Sequence, residues 1–404
     1  MCMNLKTFGL ISFLYVLTPA DVFAQSSALT LESFLESVKK ESPDLTVENA
    51  SIDAAEARSN GIRISPPMVG IMQMKENGNN QNGYEISQEI PFPTKIVQDK
   101  RVRDLEFETQ KEMSQYQKTL ILNEARNAYL SFWSTYEKLK IQKEKHHWLK
   151  HHVSLTRSAT RSDSLAQIHL LEVESNTDLI ENEILAVEAE LFEKRNALRI
   201  YAPSLNIETA IPKEPALPLV DIQKSTGSLI AIKEKQLTSL EAQVSLKKQG
   251  YAPDFFLRLR NYNGTETAPQ NQEIMVGVSL PFLFFWQPKA EVAEASALKT
   301  KAEAELKKAK IEFESRVLTL TKKMESLKTQ LANLKEKLIP RAEKRRKLVT
   351  TLSTRTMEGL DEHKSVVIGA LDLRIKAIDL RLDYENTFKE ILKITGSNEK
   401  VGSR

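Results

Sequence analysis

The stretch ISQEIPFPTK, residues 86–95, decides the fold because it joins two kinds of secondary structure. Before Pro91 the residues alternate as a strand does, and after Pro93 a charged helical pattern continues for about sixty residues. Proline has no N–H to donate, so the two prolines predict where a strand ends and a helix begins. A related stretch, VSLPFLFFWQP, occupies residues 278–288.

The two stretches belong to an internal repeat of a whole domain plan. Each half contains a helix, a proline turn, two strand-like runs, a Pro-Phe junction and a long helical hairpin. The junction residues are Pro91, Phe92, Pro93, Pro281 and Phe282. The predicted divisions are a signal peptide at 1–24, a first repeat at 25–202, a proline-rich linker at 203–220, a second repeat at 221–396 and a tail at 397–404. The predicted β-hairpins cover about 67–92 and 253–282, and the predicted helical hairpins about 94–201 and 286–396.

Heptad spacing predicts that the long helices pack as coiled coils. In the second half the seam residues are Leu306, Phe313, Leu320, Leu327 and Leu334, interleaved with Val317, Met324, Leu331 and Leu338. In the first half they are Leu122, Tyr129 and Tyr136, with Ala125, Phe132 and Leu139, and Ile184, Leu191 and Leu198 on the returning helix. The predicted helices are near sixty residues long, or roughly 90 Å. An ordinary coiled coil shows the same seam, so this feature does not assign a function.

Period-two alternation in the second half predicts a β-hairpin with one apolar face. The predicted lipid-facing residues are Phe255, Leu257, Leu259, Ile274, Val276 and Val278. The predicted lumen-facing residues are Arg258 and Arg260, for which a position at the rim as interfacial anchors is the alternative interpretation. In the first half the alternation is weaker, and the predicted outward residues are Met68, Met72, Met74, Tyr84 and Ile86. About nine residues per strand is enough to cross an outer membrane when tilted. A water-exposed amphipathic hairpin has the same pattern.

Strands in lipid must lie in a closed barrel, because every backbone polar group there needs a partner. Four strands per chain are too few to close one, so copies have to assemble. Two copies would give eight strands and an interior filled by side chains, whereas three would give twelve strands and a passage.

Composition and the N-terminus predict export. Lys6 precedes a short apolar run, and Val22-Phe23-Ala24 forms a signal-peptidase site, although an N-terminal core helix is an alternative interpretation. Cleavage would remove Cys2, the only cysteine, and with it any disulfide or thiolate chemistry. The net charge of +3 does not indicate nucleic-acid binding.

Two clusters suggest metal binding, and neither is specific. His147 and His151 are four residues apart, so they share a helical face and could chelate a divalent ion. A solvated helix face is the interpretation that we favour. Met68, Met72 and Met74 suggest a soft copper site, but apolar cover explains them as well. No motif of a hydrolase, nucleotide-binding or zinc enzyme is found, so we expect no enzyme and no cofactor.

The duplicated order of helix, hairpin, Pro-Phe junction and helical hairpin resembles the TolC-like outer-membrane efflux proteins. The resemblance extends from LTLESFLESVKKESPDL at residue 29 to LKITG at residue 392. It implies a mainly α fold with a small membrane β-barrel, in which a homotrimer shares twelve strands and forms an α-barrel of long helical hairpins. It also implies an outer-membrane duct that extends into the periplasm and joins a periplasmic adaptor and an inner-membrane transporter of the RND or ABC type.

The resemblance further implies that the helical tips contact the adaptor. The matching residues are Ser158, Asp163, Leu165, Gly359 and Leu360, although the first tip lacks the glycine found in family members. Any helical hairpin needs polar turn residues, which is the competing interpretation. A periplasmic adaptor and a structural coiled-coil protein remain as alternative functions.

Overall fold

The computed structural model describes residues 28–76, 79–159, 164–218, 227–264, 270–349 and 357–396. Over these ranges the chain is mainly helical, with one four-stranded sheet and one short two-stranded sheet. The elements are β1 (Ala28–Leu29), α1 (Leu31–Glu41), α2 (Pro43–Ser59), β2 (Met68–Glu76), β3 (Asn79–Ile90), α3 (Pro93–Ala159), α4 (Ser164–Tyr201), β4 (Ile211–Pro212), α5 (Ser228–Lys248), β5 (Phe255–Tyr262), β6 (Asn271–Val278), α6 (Trp286–Asn333), α7 (Ile339–Val349) and α8 (Met357–Thr395). The predicted fold class, mainly α with a small sheet, is confirmed.

The first helical hairpin packs along the predicted seam. Helix α3 runs for 67 residues and packs against α4, which has 38. Tyr129 and Phe132 on α3 and Leu198 on α4 are fully buried in the same apolar core. The two helices therefore form a coiled-coil hairpin, in which the outgoing helix is much longer than the returning one.

The second outgoing helix is interrupted, which the heptad pattern did not predict. A π-helical turn covers Leu334–Leu338 between α6 and α7. Pro340 follows it and cannot donate a hydrogen bond to the carbonyl of Glu336, so the regular ladder fails at this point. The extra residue in the turn changes the phase of the helix. Leu338, predicted in the seam, is consequently exposed, whereas Leu334 is buried.

The four long strands form a single antiparallel sheet in the order β2-β3-β5-β6. The two predicted hairpins are therefore joined, because β3 of the first repeat pairs with β5 of the second. Strands β2 and β6 each have one paired neighbour in the described part of the chain. The sheet consequently has two open edges.

The segment predicted as a linker is ordered over residues 211–218, which we call the strap. Its strand β4 pairs in parallel with β1. The Tyr129 hydroxyl lies 2.7 Å from the carbonyl oxygen of Leu29 and 2.8 Å from that of Lys213. On the other side, the Arg381 guanidinium donates to the carbonyls of Pro215 and Ala216 at 3.1 and 2.9 Å. The strap therefore joins α3 of the first repeat to α8 of the second.

A buried ion cluster also joins these two helices. Glu385 of α8 is paired with Arg126 of α3 at 3.1 Å and with Arg381 at 2.6 Å. All three side chains are buried. The Arg126 guanidinium also lies over the ring of Phe388, at 5.2 Å from its centroid. Charges so far from water are tolerated because each has an opposite charge in contact.

Candidate functional site

The candidate site is the four-stranded sheet, which has one apolar and one polar face. Cross-strand pairs place Phe255 opposite Val278, Leu257 opposite Val276 and Leu259 opposite Ile274. Partners in register lie on the same side of a sheet. All six residues predicted to face lipid are therefore on one face, and all are exposed.

The apolar face continues across the other two strands. Ile86 of β3 is opposite Leu259, and Ile90 is opposite Phe255. Strand β2 adds Val69 opposite Ile86 and Ile71 opposite Tyr84. Ile71 is 93% exposed and Val276 is 72% exposed. A continuous exposed apolar surface of this kind marks a contact with lipid or with another protein.

The opposite face of the sheet carries a cluster of charges. Arg260 Nε lies 2.8 Å and Arg258 Nε 3.2 Å from the two carboxylate oxygens of Glu85. Glu273 is the next acidic neighbour, 3.8 Å from Arg260. Both arginines predicted to face a lumen therefore lie on the face away from the apolar residues, where they share one carboxylate.

Phe256 covers a glycine on this polar face. It is paired with Gly277, where a Cβ atom would come within 1.9 Å of the ring. The Arg258 guanidinium lies 5.8 Å from the centroid of the same ring. Gly277 therefore makes room for an aromatic side chain that supports the arginine.

The predicted outward position of the methionines is wrong. Tyr84 and Ile86 lie on the apolar face, but Met68 is paired with Ser87 and Met72 with Gly83, which belong to the polar face. In this hairpin each even-numbered residue of one strand is paired with an odd-numbered residue of the other, and paired residues share a face. Two even-numbered residues on different strands therefore lie on opposite faces of the sheet. The methionines of β2 and Tyr84 and Ile86 of β3 all have even numbers, so the methionines lie on the opposite face from Tyr84 and Ile86.

The junctions between strands and helices are built around the prolines and one aspartate. Strand β3 ends at Ile90, and α3 begins at Pro93, whose missing N–H would have no helical acceptor at this position. Phe92 stacks on Phe255 with centroids 6.1 Å apart. Asp254 accepts hydrogen bonds from the Phe92 N–H and from Lys95 Nζ, at 3.1 and 2.6 Å.

In the second repeat the equivalent junction is looser. Pro281 begins a 3₁₀ turn that ends at Phe284, and α6 starts at Trp286. Phe282 is half exposed, and it is followed by three more exposed aromatic residues, Phe284, Phe285 and Trp286. These rings adjoin the end of β6, at the boundary between the sheet and the helices.

The predicted tip residues are only partly within the described ranges. Ser158 is exposed near the end of α3, and its hydroxyl donates to the Leu155 carbonyl. Asp163 lies outside the described residues, as does the side chain of Leu165. Gly359 is half buried in the first turn of α8, and Leu360 is fully buried. The adaptor contact assigned to these residues stays a prediction.

The histidine-rich stretch of α3 divides between two environments. His147 and His151, the weak metal candidates, are both exposed. His152 is buried and lies against His169 of α4 and His363 of α8. The sequence gives no sign of this cluster, because its members come from three distant helices. Within the described residues no group of three or more His, Cys, Asp or Glu side chains is arranged to hold a metal ion.

A search of the described helices finds none with the length and apolar character required to cross a bilayer.

No family model and no curated protein sequence matches the chain. Solved structures do match. The outer membrane channel CmeC of Campylobacter jejuni superimposes with a TM-score of 0.73 at 13% identity, covering 93% of this chain and 87% of that one. The open state of the Neisseria gonorrhoeae outer membrane channel MtrE gives 0.72 at 11% identity, covering 91% and 89%. The outer membrane protein VceC of Vibrio cholerae gives 0.65 at 14% identity, covering 89% and 96%. The likeness holds over nearly the whole length of each chain, and the protein therefore has the fold of the TolC-like outer-membrane channels.

Proposed function

We propose that the chain is an outer-membrane channel that serves as the exit duct of an efflux or secretion system. The observation that carries the proposal is a sheet with an exposed apolar face and two open edges, joined to two long helical hairpins. The fold shared with CmeC and MtrE supports the same function.

Assembly follows from the open edges of the sheet. Unpaired N–H and C=O groups along β2 and β6 are costly in lipid unless another strand pairs with them. Pairing β2 of one copy with β6 of the next would satisfy both edges and continue the apolar face around the outside. With four strands per chain, three copies would give twelve strands, enough to enclose a passage.

Exposed apolar residues on the helices support the same assembly. Along α4 they are Ile168 and Leu171, followed at intervals of six to eight residues by Leu179, Leu185, Phe192 and Ile200. On α6, Ile311 and Leu318 are exposed and seven residues apart. Since residues at this spacing share one side of a helix, each helix presents an apolar stripe to a neighbour. We infer that the stripes of adjacent copies pack together and close the helical wall.

The polar face of the sheet would then line the passage. Arg258 and Arg260 share Glu85, so this region of the wall carries both signs of charge in a small area. Charged side chains that line a pore influence which ions enter it. The duct itself has no catalytic role in this proposal, since a transporter would supply the energy.

The helices would extend deep into the periplasm. At 1.5 Å per residue, the 67 residues of α3 span about 100 Å. Their far ends, near Ser158 and Gly359, would meet a periplasmic adaptor, which in turn would connect to an inner-membrane transporter of the RND or ABC type. Drugs, metal cations and proteins are all compatible with such a passage.

The two alternative functions explain fewer features. A periplasmic adaptor would need one helical hairpin, whereas the chain has two, each following a pair of strands. A structural coiled coil has no use for an exposed apolar sheet. Neither alternative accounts for the open edges of β2 and β6.

The test is to express the whole chain, isolate the outer membrane, and measure both mass and conductance. We expect detergent-extracted protein at three times the chain mass and stepwise conductance in planar bilayers. A monomer recovered from the periplasmic fraction, with no conductance, would overturn the proposal. A deletion strain challenged with dyes, copper and zinc would then identify the class of cargo.

A further inference from the structure

Three buried histidines meet between α3, α4 and α8, and we call them the histidine cluster. They are His152, His169 and His363, whose exposed fractions are 1%, 7% and 8%. The ring centroids of His152 and His169 are 6.1 Å apart, and those of His152 and His363 are 6.3 Å apart. Trp148 lies over His152 at 5.0 Å and close to His363 at 5.3 Å. Each of the three helices contributes one imidazole, and the ring of His152 contacts the other two.

Most of the ring nitrogens in this cluster have no hydrogen-bond partner within the described residues. Both nitrogens of His152, Nε2 of His169 and Nδ1 of His363 are in this state. An unpaired buried polar atom has a cost, and a buried positive charge has a much larger one. Burial without hydrogen-bond partners therefore favours uncharged rings at His152 and His363.

The charged groups around the cluster only partly offset such a charge. Asp361 on α8 lies 3.3 Å from His169 Nδ1, and Glu172 on α4 lies 3.8 Å from it. Both carboxylates are also paired with Lys364, at 3.6 and 2.7 Å. On α3 the neighbouring titratable group is His151, which acts on His363. A positive charge on His152 or His363 would therefore depend on two carboxylates that already have a lysine partner.

We propose that the histidine cluster is an acid-sensitive contact, which holds α8 against α3 and α4 near neutral pH and releases it as the pH falls. Protonation of His152 and His363 would place two like charges 6.3 Å apart in a buried site, where water screens them poorly. Separating the helices would expose the rings to water and remove that cost.

The pKa directions give the pH range over which release occurs. Burial, followed by the nearby His169, His363 and Lys364, lowers the pKa of His152 to about 4, and Asp361 opposes the shift. Burial and His151 also lower the pKa of His363. In the separated state His152 and His363 would bind protons with the usual histidine pKa of about 6.5. The separated state therefore becomes more stable relative to the packed state as the pH falls. For His152 alone, the ratio of separated to packed molecules rises roughly tenfold per pH unit between about 6.5 and about 4.

Only the consequence of this inference rests on the proposed function: if the protein is a duct, its helical end would loosen in an acidic periplasm. The packing change itself does not depend on transport. Distance and conductance measurements therefore separate the two ideas, since a pH-dependent distance in a protein that conducts nothing would support the contact and reject the duct.

The experiment measures the distance between α3 and α8 in the full-length protein. Spin labels are placed by Ser154→Cys and Ser365→Cys, at two exposed serines, and the labelled chain is diluted with unlabelled chain in detergent. Double electron–electron resonance is recorded from pH 7.5 to 4.0 in EDTA. We expect the distance distribution to broaden and lengthen reversibly, with the change falling between pH 6.5 and 4.

Two variants make the result specific. His152→Gln should retain the neutral-pH distance and lose most of the response, since glutamine does not titrate. His147→Gln, on the exposed face of the same helix, should respond as the parent does. An unchanged distance in the parent, or an undiminished response in His152→Gln, would overturn the proposal. A response seen only when EDTA is omitted would also overturn it, because a metal ion rather than protons would then be responsible.

Discussion

The carboxylate of Asp254 accepts a hydrogen bond from the backbone N–H of Phe92 at 3.1 Å and thereby joins the two repeats where the inner strands of the sheet meet the helices. Its second oxygen accepts from Lys95 Nζ at 2.6 Å. The Asp254 backbone also bonds with Ser279, in both directions, at 2.8 and 2.9 Å. One residue therefore connects the start of α3, the start of β5 and the end of β6.

Replacing Asp254 with alanine should destabilise this junction. The change leaves the Phe92 N–H and the Lys95 ammonium without their acceptor, a loss of about 1–3 kcal/mol for a partly buried charged hydrogen bond. We expect the oligomer to dissociate at a lower temperature in detergent, as followed by gel mobility after heating. Asp53→Ala, at an exposed position on α2, is the matched control and should behave as the parent does.

A negative charge should impair assembly when placed on the apolar face of β6 and should be tolerated on the polar face. Val276→Asp places a carboxylate on the apolar face, which costs on the order of 1–2 kcal/mol per chain in lipid and repeats in every copy of the assembly. Folded oligomer in the outer membrane should fall sharply, as measured by quantitative immunoblotting of unheated samples. Met275→Asp, one residue earlier, lies opposite Arg258 on the polar face and should assemble normally. Equal assembly of both variants would show that the apolar face does not contact lipid.

The buried ion cluster between α3 and α8 should be sensitive to the loss of its acid. Glu385→Gln removes the negative charge that Arg126 and Arg381 share. Leaving buried cations uncompensated costs about 3–5 kcal/mol. We expect a large drop in the thermal unfolding midpoint by circular dichroism. Glu390→Gln, on the same helix, disrupts only an exposed pair with Lys393 and should change the midpoint little.

Removing the hydroxyl of Tyr129 should loosen the strap. This hydroxyl lies 2.8 Å from the Lys213 carbonyl, so Tyr129→Phe removes the hydrogen bond to that partly buried group. The Lys213 N–H and the Leu29 carbonyl stay paired with each other at 3.0 Å. The expected loss is about 1–2 kcal/mol. Hydrogen exchange at residues 211–218 should become faster, while exchange in the middle of α3 stays slow. The strap is also held by Arg381 and by the Tyr384 hydroxyl, which donates to the Pro218 carbonyl at 2.9 Å. Unchanged exchange in the strap would mean that these two residues hold it without help from Tyr129.

The sequence was most informative where local chemistry decides structure. Proline at residues 91 and 93 ends a strand and starts a helix for reasons that need no tertiary information. Period-two alternation likewise identified Phe255, Leu257 and Leu259 as one face. Met68 and Tyr84 were wrongly predicted to share a face. Alternation within each strand does not specify the register between two strands, which depends on the turn that joins them.

Contacts between helices that are distant in the chain could not be predicted from sequence patterns. His152 and His363 meet although 211 residues separate them, and Arg126 meets Glu385 across 259. A heptad identifies which side of a helix is apolar, but it does not say which partner covers that side. The exposure of Leu338 shows the further effect of a π turn, which shifts the phase of every residue that follows it.

The strap gives the two hairpins a fixed pivot part of the way along their length. Tyr129 marks that point on α3, and His152 lies 23 residues further on, a lever of about 35 Å. Turning α8 by roughly ten degrees about the pivot would displace its far end by about 6 Å at that distance, while the sheet stayed where it was. Small changes of angle at mid-length would thus produce larger displacements at the tips of the hairpins, while the sheet at the other end would move little.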